Sequence, residues 1–158
     1  MKIARESDID WVEVRSPGGR FQVFRRHLSE ALGAPRDADV AQGGHPFEVE
    51  LARIPPGLSN CPYHAHAAQW EFFVILSGTG EVRADEAVTP VGAGDSFIFP
   101  PGEAHQLRNT GSVDLVYYVI ADNPPADVIT YPDSNKWSVK PQRKSFVMQE
   151  VDYYAGEE

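Results

Sequence analysis

A single cysteine, Cys61, excludes any disulfide within these 158 residues. Such a chain suits a reducing compartment, and the expectation is a cytoplasmic protein held together by its core. Long apolar runs are missing too: none approaches the roughly 20 residues that a membrane-spanning helix needs. The opening Met1-Lys2-Ile3-Ala4-Arg5-Glu6 leads into acidic residues, not into the hydrophobic stretch of a signal peptide. Positive charge is scarce. The formal net charge is −9, and between Phe47 and Asp122 the only lysine or arginine side chains are Arg53, Arg83 and Arg108. The four lysines, Lys2, Lys136, Lys140 and Lys144, all lie near the ends. That deficit argues against nucleic acid as a partner, because a phosphate backbone requires a basic face. It also leaves a strongly anionic substrate few central cations to meet, apart from a metal. No internal repeat and no alternation of strands with helices is visible. Gly78-Thr79-Gly80 lacks the following helix and lysine of a phosphate loop and reads as a turn.

What is present divides into three stretches of one expected domain, 1–158. In the first, residues 1–46, Phe24, Leu28, Ala31 and Leu32 recur at helical spacing until Gly33 and Pro35 stop them. The polar, glycine-rich segment from Arg36 to Gly44 reads as a loop. Residues 47–122 read as short strands cut by turns. Phe47 to Arg53 alternates apolar and polar, and Pro55-Pro56-Gly57 ends it. Phe72 to Leu76 is a buried strand stopped by Ser77-Gly78. Further strands are expected at 81–84, 88–91, 96–99, 104–109 and 114–121, between turns rich in glycine and proline. Strands this short and this evenly punctuated indicate an all-β sandwich or barrel. Residues 123–158, rich in proline and aromatics, suggest an extended arm packed on the barrel or on a partner, with a frayed end.

Two blocks carry the chemistry: His64-Ala65-His66 followed by Glu71, and Pro100-Pro101-Gly102 followed by His105. Three imidazoles and a carboxylate are a ligand set for a divalent first-row metal. Residues i and i+2 of a strand share a face, so His64 and His66 can grip one ion together. Glu71, five residues beyond His66, has the wrong parity for that face. A bulge or turn between Ala67 and Trp70 must restore it.

The spacing of the two blocks resembles the paired signature of the cupin superfamily. The second block runs Gly94, five residues, Pro100, one, Gly102, two, His105, three, Asn109. The first runs Gly57, six residues, His64, one, His66, four, Glu71, six, Gly78, which is one residue longer than usual after the first glycine. Fifteen residues separate Gly78 from Gly94, as in compact single-domain bacterial cupins. The ends, with Tyr131-Pro132-Asp133-Ser134-Asn135-Lys136-Trp137, are similar to those of small bacterial cupins sometimes described as sugar-phosphate isomerases. The resemblance implies a double-stranded β-helix, a jelly-roll barrel with a short N-terminal helix and extended terminal arms. It also implies one divalent ion (iron, manganese, nickel or zinc) held inside the barrel by His64, His66, Glu71 and His105.

Parity places Phe73 on the side of Glu71, and Leu107 and Asn109 on the side of His105. Phe97 or Phe99, and one of Tyr117 and Tyr118, should add to the wall. Phe73, Phe99, Leu107 and Tyr118 are therefore the candidate pocket residues, around a cation that can polarise a carbonyl, stabilise an enediolate or activate water. Such an apolar wall, with no central lysine, favours a metal-dependent oxygenase acting on a small molecule. Two alternatives stay open: a sugar-phosphate-type isomerase or lyase with the metal as Lewis acid, and a non-catalytic metabolite-binding protein. A homodimer is expected, because small barrels often pair through sheet faces and exchanged arms.

Overall fold

The computed structural model describes every residue except Asp37 and Glu86. Its strands are β1 (Val12–Arg15), β2 (Gln22–His27), β3 (Phe47–Ile54), β4 (Ala65–His66), β5 (Glu71–Ser77), β6 (Thr79–Ala84) and β7 (Ala87–Gly92). They continue with β8 (Ser96–Phe99), β9 (His105–Asn109), β10 (Leu115–Asp122), β11 (Asp127–Tyr131), β12 (Lys136–Lys140) and β13 (Lys144–Val147). One wall is a six-stranded sheet in the order β1-β2-β3-β10-β5-β8. The other side is built from two smaller sheets, β7-β6-β9 and β13-β12-β11-β4, and every named strand pair is antiparallel. This is the jelly-roll architecture expected from the sequence.

Alternation sets the interior. On β5 the inward residues Phe73 and Ile75 are buried, while Leu76 is exposed. They meet Tyr117 on β10, Ala52 and Ile54 on β3, Val82 on β6, and Phe99 and Leu107 from β8 and β9. Each large apolar side chain buried this way is worth about 1.5–3 kcal/mol. Asn109, fully buried at the end of β9, donates to the Ile54 and Val113 carbonyls (2.7 and 2.8 Å) and accepts from the Gly111 amide (2.9 Å). Gly78 turns β5 into β6 at φ 83°, where a Cβ would lie 2.5 Å from the Asp114 carbonyl oxygen. Only glycine fits that crossing.

The terminal stretches differ in part from their sequence reading. Phe24 lies in β2, opposite Arg53 of β3, and the helix is confined to Leu28–Ala31. Pairing with β3 outweighs the weak helical periodicity of this segment, and Val23 and Arg25 point inward while Phe24 and Arg26 alternate to the outer face. Within the expected loop from Arg36 to Gly44, Asp37 lies outside the described residues. Val40–Gln42 forms a 3-10 turn closed by a reciprocal capping box between Asp39 and Gln42. The C-terminal arm is extended as expected, but it also pairs. Its β11 continues the barrel wall through Ile129 opposite His66 and Thr130 opposite Ala65.

Candidate metal centre

His64 and His66 sit at either side of Ala65, where the chain enters β4. His64 is fixed by a two-way backbone bridge to His105, with N···O distances of 3.1 and 2.8 Å. That bridge brings the two sequence blocks face to face. After His66 the chain bends at Ala67 and Ala68 and crosses to the other sheet, where Glu71 opens β5. The parity problem is therefore solved by a turn between sheets. The Ala68 amide donates to Asp127 Oδ1 (2.8 Å), and the Trp70 amide to Asp122 Oδ1 (2.8 Å).

The ligand atoms of His64, His66 and Glu71 all lie within 4.8 Å of one another. Glu71 Oε2 is 3.9 Å from His64 Nε2, 3.8 Å from His66 Nε2 and 2.7 Å from His105 Nε2. Every ring has its other nitrogen tied back. Nδ1 of His64 faces the Pro62 carbonyl (3.0 Å), Nδ1 of His66 faces Asp127 Oδ2 (2.5 Å), and Nδ1 of His105 faces the Glu103 carbonyl (3.1 Å). Each of these partners can only accept, so each Nδ1 carries the proton. The Nε2 lone pairs are left turned toward one carboxylate oxygen. At His105 that arrangement sets a lone pair against a carboxylate at hydrogen-bond distance, which requires a proton or a cation between them. A divalent ion fits this donor set, and the tied-back imidazoles are the usual support for such ligands.

The electrostatics agree. Burial pushes His64 down to about 4, against the opposing pull of Glu71, so near neutrality the ring is an uncharged ligand. Burial pushes Glu71 upward, but a proton shared with His105 Nε2 and the charge of the surrounding imidazoles outweigh it and hold the carboxyl at about 2. Cys61, with Sγ 3.6 Å from His64 Nδ1, is driven up to about 12 by burial and remains a thiol. It is not poised as a nucleophile.

Beside these residues opens a cavity of about 350 Å³. Of the four candidate pocket residues only Phe73 lines it. Phe99 is stacked flat on the His105 ring at 3.9 Å and supports that imidazole from behind. Leu107 lies in the core beneath. Tyr118 points to the outside of the sheet, where its hydroxyl donates to Glu6 (2.7 Å), and Tyr117 takes the inward position. The wall is also more polar than the sequence suggested. Arg25 and Glu50 enter it from β2 and β3, and Gln69, Tyr131 and Lys140 from the other side. Arg25, Tyr131, Lys140 and the His66 partner Asp127 lie outside the central strand-rich stretch. Of these only Tyr131 falls in a segment with a recognisable sequence pattern.

Residues 50–121 match the family model described as the cupin domain. Over that stretch the chain is similar to the cupin domain. Among its relatives, auxin-binding protein 1 of Arabidopsis thaliana is 33% identical over 103 residues, which is 60% of this chain and 51% of that protein. The oxalate-binding protein of Thermotoga maritima is 34% identical over 68 residues, 43% of this chain and 55% of that one. The chain thus spans about half the length of these curated relatives. A solved structure of a candidate sugar phosphate isomerase from Acidithiobacillus ferrooxidans superposes with a TM-score of 0.77 at 23% identity, covering 92% of both chains. That likeness extends the shared cupin fold over the terminal arms of this chain.

Proposed function

We propose that this cupin is a metal-dependent enzyme whose divalent ion, held by His64, His66, Glu71 and His105, acts as a Lewis acid on a small hydroxy-carbonyl substrate. The observation that carries the reading is the convergence of tied-back imidazoles on Glu71 at the edge of a cavity of about 350 Å³. A cavity of that size suits a small molecule. When bound, the ion would polarise a carbonyl and ease removal of the neighbouring proton. The chain supplies the rest. Glu48 and Glu50 are the other carboxylates of the wall, and Phe73 and Val119 are among its apolar residues. The names borne by relatives, an oxalate-binding protein and a candidate sugar phosphate isomerase, are compatible with oxygen-rich small ligands.

An oxygenase is favoured by an apolar wall without cations, whereas Arg25 and Lys140 in this wall support the Lewis-acid reading. The test is to load the purified protein with Fe(II), Mn(II), Ni(II) or Zn(II) and incubate it in deuterated water with a panel of small hydroxy-carbonyl compounds. Metal-dependent exchange of the proton next to the carbonyl, without oxygen uptake, is the expected result. Metal-dependent oxygen uptake would restore the oxygenase, and a metal-loaded protein that does neither would be a binding protein.

The proposed setting is the cytoplasm, and the proposed assembly is a homodimer. The exposed Leu76, Ile98 and Ile120 on the outer face of the six-stranded sheet motivate the dimer. Light scattering at micromolar concentration should give twice the chain mass, and a monomer would refute the assembly.

A further inference from the structure

Arg25 occupies a position that the barrel would ordinarily give to an apolar side chain. On β2 its inward neighbour in the alternation is Val23, which is fully buried, whereas Phe24 and Arg26 turn to the outer face. The guanidinium therefore enters the interior and lines the cavity that holds His64, His66 and Glu71. Placing a charge there is costly unless it is matched by partners. It pairs through Nη1 with Glu50 Oε2 at 3.2 Å, and Glu50 is itself shared with His27 Nδ1 at 2.7 Å. Arg25 Nε is buried with no hydrogen-bond partner. Two other arginines have the same orphaned Nε, but both lie against aromatic rings. Arg26 sits 4.5 Å from the Trp11 ring centre and Arg53 4.1 Å from that of Phe24. Among the described residues no such ring underlies Arg25. Across the cavity Lys140 holds Gln69 at 3.3 Å. These two cations come from β2 and β12, outside the 50–121 cupin match.

Building on the metal reading above, we propose that Arg25 is a specificity-determining residue that binds the carboxylate of an oxo- or hydroxy-carboxylate substrate, whose second oxygen reaches the metal. A guanidinium presents paired N–H donors that match a carboxylate edge. The charge of the wall selects among anions. Glu48, Glu50 and Glu71 already face the cavity, so a singly charged carboxylate is tolerated better than a doubly charged phosphate ester.

The test uses the metal-loaded full chain and three probes: pyruvate, its uncharged amide pyruvamide, and dihydroxyacetone phosphate. Binding is read by calorimetry and by the spectrum of the Co(II)-substituted site. Pyruvate should bind at least about tenfold more tightly than pyruvamide or dihydroxyacetone phosphate. Arg25→Gln should remove the preference for pyruvate over pyruvamide, and Arg25→Lys should retain part of it. The comparison of probes on the unaltered protein stands even if Arg25→Gln fails to fold. Equal binding of pyruvate and pyruvamide, tighter binding of dihydroxyacetone phosphate, or a preference that survives Arg25→Gln would each overturn the assignment. Those results would leave metal binding intact. Failure of the protein to take up Co(II) would instead strike the metal reading on which this one rests.

Discussion

An imidazole offers a cation its Nε2 lone pair reliably only when the proton on Nδ1 is held in place. For His64 and His105 main-chain carbonyls do this, but for His66 the task falls to the buried carboxylate of Asp127. The same carboxylate anchors the Ala68 amide, so it fixes both the ring and the bend that follows it. Asp127→Asn should weaken divalent-metal affinity by about 10–100-fold. Chelator competition on the folded variant would measure this, and an unchanged affinity would show that His66 needs no such support. His64, His66, Glu71 and His105 were legible in the sequence because ligand residue types recur there at local spacings. Asp127 was not legible: it is 61 positions from its partner, and an aspartate after two prolines resembles any turn residue. Tyr118, the sequence candidate, and Tyr117, which lines the cavity, are adjacent, and a one-residue shift in register reverses the face.

Between elements, the most informative tie is the chain of charges from β2 to β3, in which His27 and Arg25 share Glu50. The Glu50 hydrogen bond, aided by its charge and opposed by partial burial, raises His27 above its ordinary value of 6.5. A raised folded value means that this stabilisation is complete below about pH 6.5 and lost as pH climbs through the folded value. Burial pushes Glu50 up, but His27 and Arg25 outweigh it and the carboxyl is lowered, so its contribution fades only toward acid pH. His27→Gln should therefore flatten the fall in stability as pH rises above about 6.5. Urea midpoints across that range would show it, and an unaltered slope would contradict the tie. The central strands were readable because alternation and glycine or proline turns coincide from Phe47 to Asp122. The segment from Phe24 to Leu32 misled, because its spacing fits a helix while its neighbour β3 offers a full edge of hydrogen bonds. The strands β11 to β13 carry no clean alternation; they are extended because they pair with one another and with β4.

At the scale of the molecule, the cupin match and the terminal extensions divide the work. The segment 50–121 carries the three imidazoles and Glu71, whereas the extensions bring Arg25, Asp127 and Lys140 to the same cavity. A site assembled from both is present only when the chain is folded, so an ion bound there must stabilise the whole. At a hundredfold excess over the dissociation constant the gain is about 2.7 kcal/mol. The direct test is metal analysis of natively purified protein, followed by reconstitution and thermal melting, on the unaltered chain and on the His64→Ala/His66→Ala double variant. One divalent ion per chain, a higher melting temperature with metal, and loss of both in the double variant are the predicted results. A folded protein that takes up no ion after reconstitution, or a double variant that retains it, would contradict the account.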